Sequence, residues 1–581
     1  MMRATGQPLL PMSREEMARL GWDELDVLLV SGDAYADHPS FGAALLGRWL
    51  MRHGYRVGIV AQPRWDSPRD LEAMGRPRLF AGVTAGAIDS MLAHYTAFRK
   101  KRSDDAYTPG GKSGARPNHA TIVYTGLVRA AFPGLPVVIG GIEASLRRVT
   151  HYDFWSDKLR RSILLDSKAD LLVYGMGERA VVEIARRLEK SHGGKTLHGI
   201  PGTVYAVGEG ADLPEGAVEL PSHEDVVTDA RKLMDLTLAV ERLVQQGDRW
   251  AVQRTGNRHL VIAPPAPPLS TEELDAVYAL PFTRAAHPSY NEPVPALEMI
   301  QFSITSHRGC GGGCSFCSLA LHQGRRIGSR SRLGILEEAR QFARHPQWKG
   351  SITDVGGPSA NMWGARCTAD PGTCRRPSCL YPRRCPSFVV DQDMLAELLE
   401  AVSRVPGVKH VRVASGLRHD LAMDTPEYVR AVLGRFTGGQ LKLAPEHSSS
   451  AVLCLMRKPP FDAFLRFLTV FERESARAGK QQYVVPYLMS AFPGCTDNDM
   501  RDLAAWLRGK GWKPQQVQCF IPTPGTVAAA MYYAGTDPQG KPIHVAKTDA
   551  DRIRQHRILL GSGKNAGAVK PRTPPRRRKT T

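Results

Sequence analysis

The residues best suited to chemistry are three cysteines on one glycine-rich stretch. The sequence SHRGCGGGCSFC gives the spacing Cys310-x3-Cys314-x2-Cys317. Three thiolates on one loop can bind three irons of a [4Fe–4S] cluster, and glycines let the backbone fold around it without Cβ clashes. A zinc site would need a fourth ligand, and His307 and His322 lie within range. The ligand count therefore fits a cluster and keeps zinc open.

A second group of four cysteines follows in an Arg- and Pro-rich segment at residues 365–387. Its members are Cys367, Cys374, Cys379 and Cys385. Four thiols this close can enclose a metal, although their spacing is looser than the paired CxxC of a zinc ribbon. Three interpretations stay open: an auxiliary Fe–S cluster, a structural zinc site, and no metal.

The distribution of cysteines along the chain bears on where the protein works. The 581 residues contain ten cysteines, and none precedes Cys310. Secreted disulfide scaffolds are small and evenly crosslinked, whereas clustered thiols in a long chain are typical of metal or catalytic sites. The N-terminus lacks the apolar core of a signal peptide, and no apolar run reaches the length of a membrane-spanning helix. We expect a cytoplasmic protein that does not enter the membrane.

The first 200 residues alternate between short apolar runs and amphipathic stretches. This alternation predicts parallel strands with helices on both faces, a doubly wound α/β domain over residues 1–200. The polar, Gly/Pro-bearing stretch 100–118 is expected to be a mobile surface loop. Residues 201–295 are expected to form an irregular connecting segment. The strands are predicted at Asp26–Val30, Arg56–Val60, Leu79–Val83, Pro136–Gly140 and Asp170–Tyr174.

The alternation resumes in residues 296–560, with about six strand–helix pairs. Six pairs predict a partial (β/α)6 barrel, in which the cysteine-rich segment 365–387 is an insertion. Active residues of such barrels lie at the carboxyl ends of the strands, and the first three cysteines directly follow the first predicted strand.

The formal net charge of +20 is concentrated at the C-terminus. Ten basic residues and no acidic residue follow Asp551, so half of the excess lies in the last 30 residues. Residues 561–581 are therefore expected to form a basic, disordered tail. Such a tail can bind nucleic acid by releasing counterions, but a simply solvated tail has the same composition.

The stretch around the three cysteines resembles the CxxxCxΦC signature of radical S-adenosylmethionine (SAM) enzymes, with Phe316 before the last cysteine. Three later landmarks extend the resemblance in the same order. DVGGP at 354–358 resembles the Gly-Gly-Glu motif of these enzymes. YLMSAFPG at 487–494 and IPTPGT at 521–526 resemble two later segments of their barrel.

The resemblance implies roles for individual residues. Gly356 and Gly357 would contact the SAM amino group, and Phe316 would pack near the adenine, unless it is an ordinary core phenylalanine. Pro358 stands where these enzymes usually have an acidic residue, so one side-chain contact to SAM is lost. Three cysteine ligands would leave one iron open to chelate SAM.

Nearly the whole chain is similar to the YgiQ family of radical SAM proteins. The similarity includes GDAYADHPSFG at 32–42, GGIEASLRRVTHYDFWSD at 140–157 and DVGGPSANMWG at 354–364. It implies a [4Fe–4S] cluster, SAM, and a 5′-deoxyadenosyl radical that abstracts hydrogen from an unknown substrate. It also implies a one-electron donor such as flavodoxin or ferredoxin. It names no catalytic residue.

The N-terminal domain resembles the cobalamin-binding, Rossmann-like domains that precede some radical SAM barrels. Those domains carry D-x-H-x-x-G, whereas this chain has Asp37-His38 followed by Gly42, so both offsets differ. The sequence G-x-G-x-x-A at 175–180 matches a dinucleotide fingerprint, but it follows the last predicted strand of its domain rather than the first. We expect the fold without either cofactor.

Three functions remain in competition. The first is a radical SAM enzyme acting on an unknown substrate. The second is a radical SAM enzyme that modifies RNA and uses the basic tail. The third is a nucleic-acid-binding or scaffold protein with a structural metal, which would contain zinc rather than iron and would not cleave SAM.

Overall fold

The computed structural model describes residues 9–191, 194–514 and 516–560. Within these residues, nine strands of the first half form one sheet, in the order β2-β1-β3-β4-β7-β8-β11-β10-β9, and two form a separate hairpin, β5-β6. The strands are β1 (Val27–Ser31), β2 (Val57–Ala61), β3 (Phe80–Thr84), β4 (Val137–Gly140), β5 (His151–Asp153), β6 (Lys158–Arg160), β7 (Leu171–Val173), β8 (Thr203–Gly208), β9 (Val218–Leu220), β10 (Ala251–Thr255) and β11 (Arg258–Ile262).

Strands β2, β1, β3, β4 and β7 run parallel. Each predicted strand of this domain is confirmed to within one residue at either end. The long apolar runs identify them because a parallel sheet is buried on both faces. The strand order reverses direction between β1 and β3, and the crevice at such a switch point is where doubly wound sheets bind ligands.

Helices cover both faces of this sheet, so the doubly wound prediction is confirmed. Leu28 and Val30 of β1 belong to a core with the helix Ala120–Ala131 on one face of the sheet. Val27 and Leu29 belong to a second core on the other face, with the helices Gly42–Arg52 and Glu178–Lys190. The helices are α1 (Arg14–Arg19), α2 (Gly42–Arg52), α3 (Arg69–Glu72), α4 (Ser90–His94), α5 (Ala120–Ala131), α6 (Gly141–Leu146), α7 (Ile163–Ser167), α8 (Glu178–Lys190), α9 (His223–Thr228), α10 (Ala230–Gln246), α11 (Thr271–Tyr278) and α12 (Pro295–Ile300).

The segment 201–295 differs from the prediction of an irregular connection. Strands β8 to β11 extend the same sheet, with β8 antiparallel to β7 and β11 antiparallel to β8. The hairpin β10–β11 closes around Gly256, whose φ of +57° suits a tight turn. The two strands at the edge, β9 (VEL) and β10 (AVQRT), lack the uniform apolar pattern of the parallel strands. The predicted division into domains stays a prediction.

The second half of the chain contains an open arc of parallel strands. Strand β12 pairs with β16, β15 with β19, and β21 with both β20 and β22. A bridge from Leu417 to Leu443 continues β19 into β20. The strands are β12 (Ser303–Thr305), β13 (His307–Arg308), β14 (Gly328–Ser329), β15 (Ser351–Ile352), β16 (Asp354–Gly356), β17 (Arg366–Cys367), β18 (Phe388–Val389), β19 (His410–Val411), β20 (Gln440–Glu446), β21 (Tyr483–Ser490) and β22 (Gln516–Cys519).

Because β15 and β16 share one position, the arc has six parallel positions, and in the described residues no pairing joins β22 to β12. The prediction of a partial (β/α)6 barrel is confirmed. Its helices are α13 (Leu319–His322), α14 (Arg332–Phe342), α15 (Gln392–Ser403), α16 (His419–Ala422), α17 (Pro426–Ala431), α18 (Ser450–Met456), α19 (Phe461–Arg477), α20 (Asp497–Gly509), α21 (Val527–Ala534) and α22 (Asp549–Leu560).

The predictions for the polar stretch 100–118 and for the basic tail have different outcomes. The stretch 100–118 is anchored rather than free, because Arg116 within it is fully buried and pairs with Asp33 and Asp105. The basic tail predicted at 561–581 lies outside the described residues. Across the described part of the chain, no helix is both long enough and apolar enough to cross a membrane.

Candidate functional site

The cluster loop, residues 309–317, is shaped by glycines that pack against backbone. A Cβ on Gly309, which has a φ of +85°, would lie 2.0 Å from the carbonyl oxygen of Arg326. A Cβ on Gly313, with a φ of +57°, would lie 2.3 Å from the carbonyl oxygen of Pro377. Any other residue at either position would force the loop away from its neighbours.

The three thiols of this loop are half-buried and lie close to one another. A Cβ on Gly312 would lie 3.4 Å from the Cys310 sulfur and 3.7 Å from the Cys314 sulfur. Burial raises the pKa of Cys310, and burial together with the two neighbouring thiols raises the pKa of Cys317 to about 12. Thiolates at such positions need a cation to stabilise them. The donor set therefore fits an iron–sulfur cluster, whose irons are each bound by a separate thiolate.

The two histidines considered as zinc ligands are placed elsewhere. His322 Nδ1 lies 3.0 Å from the Ser145 hydroxyl, and burial lowers the pKa of His322 to about 4. His307 Nδ1 lies 2.9 Å from the Ser306 hydroxyl. Over residues 9–191, 194–514 and 516–560, no three His, Cys, Asp or Glu side chains are grouped to hold a single metal ion.

Two cations lie near the thiols. Arg418 Nη1 is 3.8 Å from the Cys314 sulfur, and Arg418 also forms a buried ion pair with Asp420 at 2.6 Å. Lys458 is buried, lies 3.7 Å from Glu446, and is close enough to lower the pKa of Cys310. Lys458 follows helix α18 and belongs to no motif, so the sequence alone gives no sign that it lies near the thiols.

Phe316 contacts the landmark segment at the end of β21. Its ring lies 6.2 Å from that of Phe492 in an edge-to-face arrangement. Phe316 is half-buried and packs against the main core. This position of Phe316 is compatible with packing against an adenine and with packing in the core. The predicted contact of Phe316 with SAM stays a prediction.

Gly356 and Gly357 lie at the carboxyl end of β16, one strand from the cluster loop. The Gly356 carbonyl accepts hydrogen bonds from the Ser306 backbone N–H at 2.7 Å and hydroxyl at 3.0 Å. A Cβ on Gly357 would lie 2.7 Å from the His307 ring, so only glycine fits. The Asp354 carboxylate on the same strand accepts from two backbone N–H groups near Ser415 and does not replace the acidic side chain lost at Pro358.

The cysteine-rich segment packs directly on the cluster loop. The Cys379 N–H donates to Gly311 O at 2.9 Å, and the Ser378 hydroxyl donates to Gly312 O at 2.6 Å. Strands β17 and β18 pair to close the segment into a loop. Burial raises the pKa of Cys379 to about 11, and the thiols of Cys367, Cys374 and Cys385 are near enough to add to this effect. The four cysteines are thus neighbours, while the predicted metal stays untested.

Asp33 lies at the switch point of the N-terminal sheet, directly after β1. Its Oδ2 accepts from the Ala87 N–H at 2.6 Å, and its Oδ1 lies 3.1 Å from Arg116 Nη2. Burial raises the pKa of Asp33 to about 6. Nearby, His38 Nε2 lies 2.9 Å from Arg284 Nη1 and is buried. His38 is therefore not positioned as a free cobalt ligand.

A cavity of about 660 Å³ lies between the two halves of the chain. It is larger than most side-chain voids and falls in the range of small-molecule sites. Strand ends from both halves open onto it. They are Ser31 of β1, Thr84 of β3, Gly140 of β4, Val173 of β7, Thr305 of β12 and Gly356 of β16.

Comparison with known proteins places the chain in a family. Residues 9–303, half of the chain, match the family described as Radical SAM N-terminal. A UPF0313 protein of Geobacter sulfurreducens is 52% identical over 557 residues, covering 95% of this chain and 92% of its own. The chain belongs to the UPF0313 family of radical SAM proteins. The resemblance seen in the sequence is thereby confirmed, and the family makes the protein a radical SAM enzyme of unspecified reaction.

Other UPF0313 relatives extend over the same length. That of Thermotoga maritima is 48% identical over 550 residues, covering 93% of this chain and 96% of its own. Among solved structures, TsrM from Kitasatospora setae, a radical SAM methyltransferase, shows 14% identity and a TM-score of 0.48, covering 86% of this chain and 74% of its own. Similarity at that level is too low to assign fold or function to the UPF0313 chain.

Proposed function

We propose that the protein binds a [4Fe–4S] cluster through Cys310, Cys314 and Cys317 and binds SAM beside it. A reduced cluster at this loop would supply the electron that cleaves SAM to methionine and a 5′-deoxyadenosyl radical, which then takes a hydrogen atom from the substrate. The observation that carries the proposal is the juxtaposition of three half-buried thiols on one loop with a second glycine-lined strand end, Gly356–Gly357, at the same end of the barrel.

The chain's own residues bind and orient these groups. Ser306 lies just before the cluster loop and donates two hydrogen bonds to the Gly356 carbonyl. These bonds hold the cluster loop next to the Gly356–Gly357 segment. Gly357 lines the cavity, and its lack of a side chain lets the His307 ring pack against it. Phe316 offers an aromatic ring on the other side of the loop. Arg418 and Lys458 place positive charge near the thiolates, which offsets the charge of three ionised cysteines.

Two further components belong to the same proposal. The cysteine-rich segment, with Cys367, Cys374, Cys379 and Cys385, binds a second Fe–S cluster or a zinc ion, because it carries four thiols on one short loop and the other three thiols are near enough to raise the pKa of Cys379. A one-electron donor of the flavodoxin or ferredoxin type reduces the first cluster.

The deciding experiment is reductive cleavage of SAM. The full-length protein is purified anaerobically, reconstituted with iron and sulfide, mixed with dithionite and SAM, and assayed for 5′-deoxyadenosine. We expect product from the wild type and none from Cys317→Ala. The control is Cys519→Ala, an isolated buried cysteine far along the barrel, which should keep both iron and product. Zinc in place of iron, or equal product from Cys317→Ala, would refute the proposal.

A further inference from the structure

The cysteine-rich segment carries a concentrated positive charge. Residues 365–387 contain five arginines and one acidic residue, Asp370, and no lysine. Four of these arginines are exposed, and Arg376 is half-buried. The next charged residues along the chain, Asp391 and Asp393, are exposed and acidic, so the positive charge ends with the segment. The roles already proposed for the segment use its thiols and leave this charge unexplained.

Two of the five arginines stabilise the segment itself. Arg384 forms an ion pair with Asp424 at 2.6 Å. Arg376 donates hydrogen bonds to the backbone carbonyls of Ser378 and Tyr381, each at 3.1 Å. The other three guanidinium groups are exposed and form no ion pair or hydrogen bond within the part of the chain that the structure describes. They are those of Arg366, Arg375 and Arg383, and we call them the arginine face.

Each arginine of this face is within two residues of a thiol of the segment. The pairs are Arg366 with Cys367, Arg375 with Cys374, and Arg383 with Cys385. A metal bound by these thiols would therefore lie next to the arginine face.

The other side of the segment contacts the cluster loop. The Cys379 N–H donates to Gly311 O at 2.9 Å, and a Cβ on Gly311 would lie 3.3 Å from the Cys379 Cβ. Arg325, which is buried, lies with its Nη2 3.8 Å from the Cys374 sulfur, where its charge favours the ionised thiol. The segment thus connects the arginine face with the cluster loop.

We propose that the arginine face is the docking surface for an acidic one-electron carrier protein, and that the electron enters the protein through the cysteine-rich segment. The inference rests on the proposed function, which requires such a donor. In each transfer the carrier loses one electron and the cluster at Cys310, Cys314 and Cys317 gains it, without a bond or a proton changing hands. Opposite charges on the two protein surfaces would steer their encounter and set their orientation.

The arrangement favours a protein partner over a nucleic acid. A nucleic acid presents a row of phosphates, and the surfaces that bind it carry many basic side chains in a stripe or along a helix. Here three free cations lie on one short loop, and acidic residues follow it. The segment also contacts the cluster loop, which serves the transfer of an electron and has no use for a bound strand.

Direct binding of a carrier tests the docking surface. Oxidised flavodoxin, an acidic flavoprotein, is titrated against the reconstituted full-length protein. We expect the docking variant, Arg375→Glu with Arg383→Glu, to bind it at least about tenfold more weakly, because two attractions become repulsions. The control, Arg254→Glu with Arg258→Glu on the β10–β11 hairpin, makes the same change in net charge at two exposed arginines and should bind like the wild type. Equal affinity in the docking variant and the wild type, or an equal loss in the control, would overturn the proposal.

Salt and RNA provide two further measurements on the same surface. The affinity of the wild type for flavodoxin should fall by at least about tenfold between about 50 and about 300 mM sodium chloride, because exposed charges are screened. An affinity that is independent of salt would overturn the proposal without any variant. Binding of an RNA oligonucleotide that is lost in the docking variant, while flavodoxin binding is kept, would make the arginine face a nucleic-acid site and overturn the proposal as well.

The choice of reductant separates this inference from the proposed function. Dithionite is a small molecule that does not need a docking surface, so the docking variant should form as much 5′-deoxyadenosine with it as the wild type, at the same iron content. With reduced flavodoxin, the docking variant should form product at least about tenfold more slowly. Equal rates with reduced flavodoxin would overturn the docking surface alone. No product from the wild type with dithionite would refute the radical chemistry, and flavodoxin binding would still decide the docking surface.

Discussion

At the scale of single residues, Arg418 and Asp420 form a charged pair whose cation is the member near the thiols. The Arg418 guanidinium lies 3.8 Å from the Cys314 sulfur. Despite the opposing effect of burial, the neighbouring Arg418 holds the pKa of Asp420 well below its usual range, so the carboxylate is ionised at neutral pH. The pair is therefore a dipole directed at the cluster loop.

Opposite shifts of the cluster potential are expected from the two halves of this pair. Arg418→Gln should lower the midpoint potential because it removes a cation that favours the reduced cluster, and Asp420→Asn should raise it. Each shift should be on the order of 60 mV, a tenfold change in a one-electron equilibrium. Redox titration followed by electron paramagnetic resonance measures it.

The exposed pair Arg430–Glu427 provides the control, since Arg430→Gln should leave the potential unchanged. Shifts of the same sign in Arg418→Gln and Asp420→Asn would contradict the electrostatic explanation and indicate disturbed packing instead.

A second residue-scale prediction concerns the pH dependence of stability. Burial raises the pKa of Asp33 from 3.8 to about 6, so the folded protein disfavours the ionised form. The stability that Asp33 contributes is complete below about pH 4 and is lost as the pH rises through about 6. Asp33→Asn does not titrate, so its unfolding free energy relative to wild type should increase by up to about 3 kcal/mol between pH 4 and 7.5.

Urea unfolding at both pH values checks this difference. Asp70→Asn is the control, because the pKa of Asp70 is lowered by Arg64 and its contribution is already present above the ordinary value of 3.8. Asp70→Asn should show no gain over the same interval. A pH-independent difference for Asp33→Asn would contradict the assigned shift.

At the scale of elements, the cysteine-rich segment is expected to carry its own metal. Cys374→Ser should lose zinc, or part of the iron, because Cys374 neighbours Cys379 but makes no hydrogen bond to the cluster loop among the described residues. Metal analysis of the anaerobically purified protein measures both elements per chain.

The exposed Cys454 is the matched control, and Cys454→Ser should retain all metal. If Cys374→Ser and wild type contain the same iron and the same zinc, the segment binds no metal.

At the scale of the whole molecule, a buried ion pair joins the two halves. Arg308, next to the cluster loop, pairs with Glu178 at the start of α8, and both side chains are almost fully buried. Glu178→Gln leaves the arginine charge without its counterion, which should lower the unfolding free energy by about 3 kcal/mol or more. Urea denaturation measures the loss.

Glu337→Gln breaks the exposed pair with Arg340 and should cost less than about 1 kcal/mol. A similar small loss in Glu178→Gln would mean that the contact between the halves does not depend on this pair.

Local sequence patterns were sufficient to predict those elements that are buried along their whole length. The five parallel strands are buried on both faces, so each appears in the sequence as an apolar run such as Val27–Ser31. The antiparallel extension was missed because its strands pair with residues far away in the sequence, as Val204 of β8 does with Ile262 of β11, 58 positions later. Arg116 was missed because a charged residue in a polar stretch gives no sign of an ion pair with Asp33.

The sequence by itself determined the thiol spacing of Cys310, Cys314 and Cys317, the glycines around them, the parallel strands and the family. These features depend on residues that are close in the sequence, so local geometry and burial can be predicted from the sequence pattern. Only the tertiary structure decided that the cysteine-rich segment lies on the cluster loop, and that Asp33 and His307 face one cavity from opposite halves. Such contacts join distant parts of the chain, and no local periodicity records which buried polar atoms will meet.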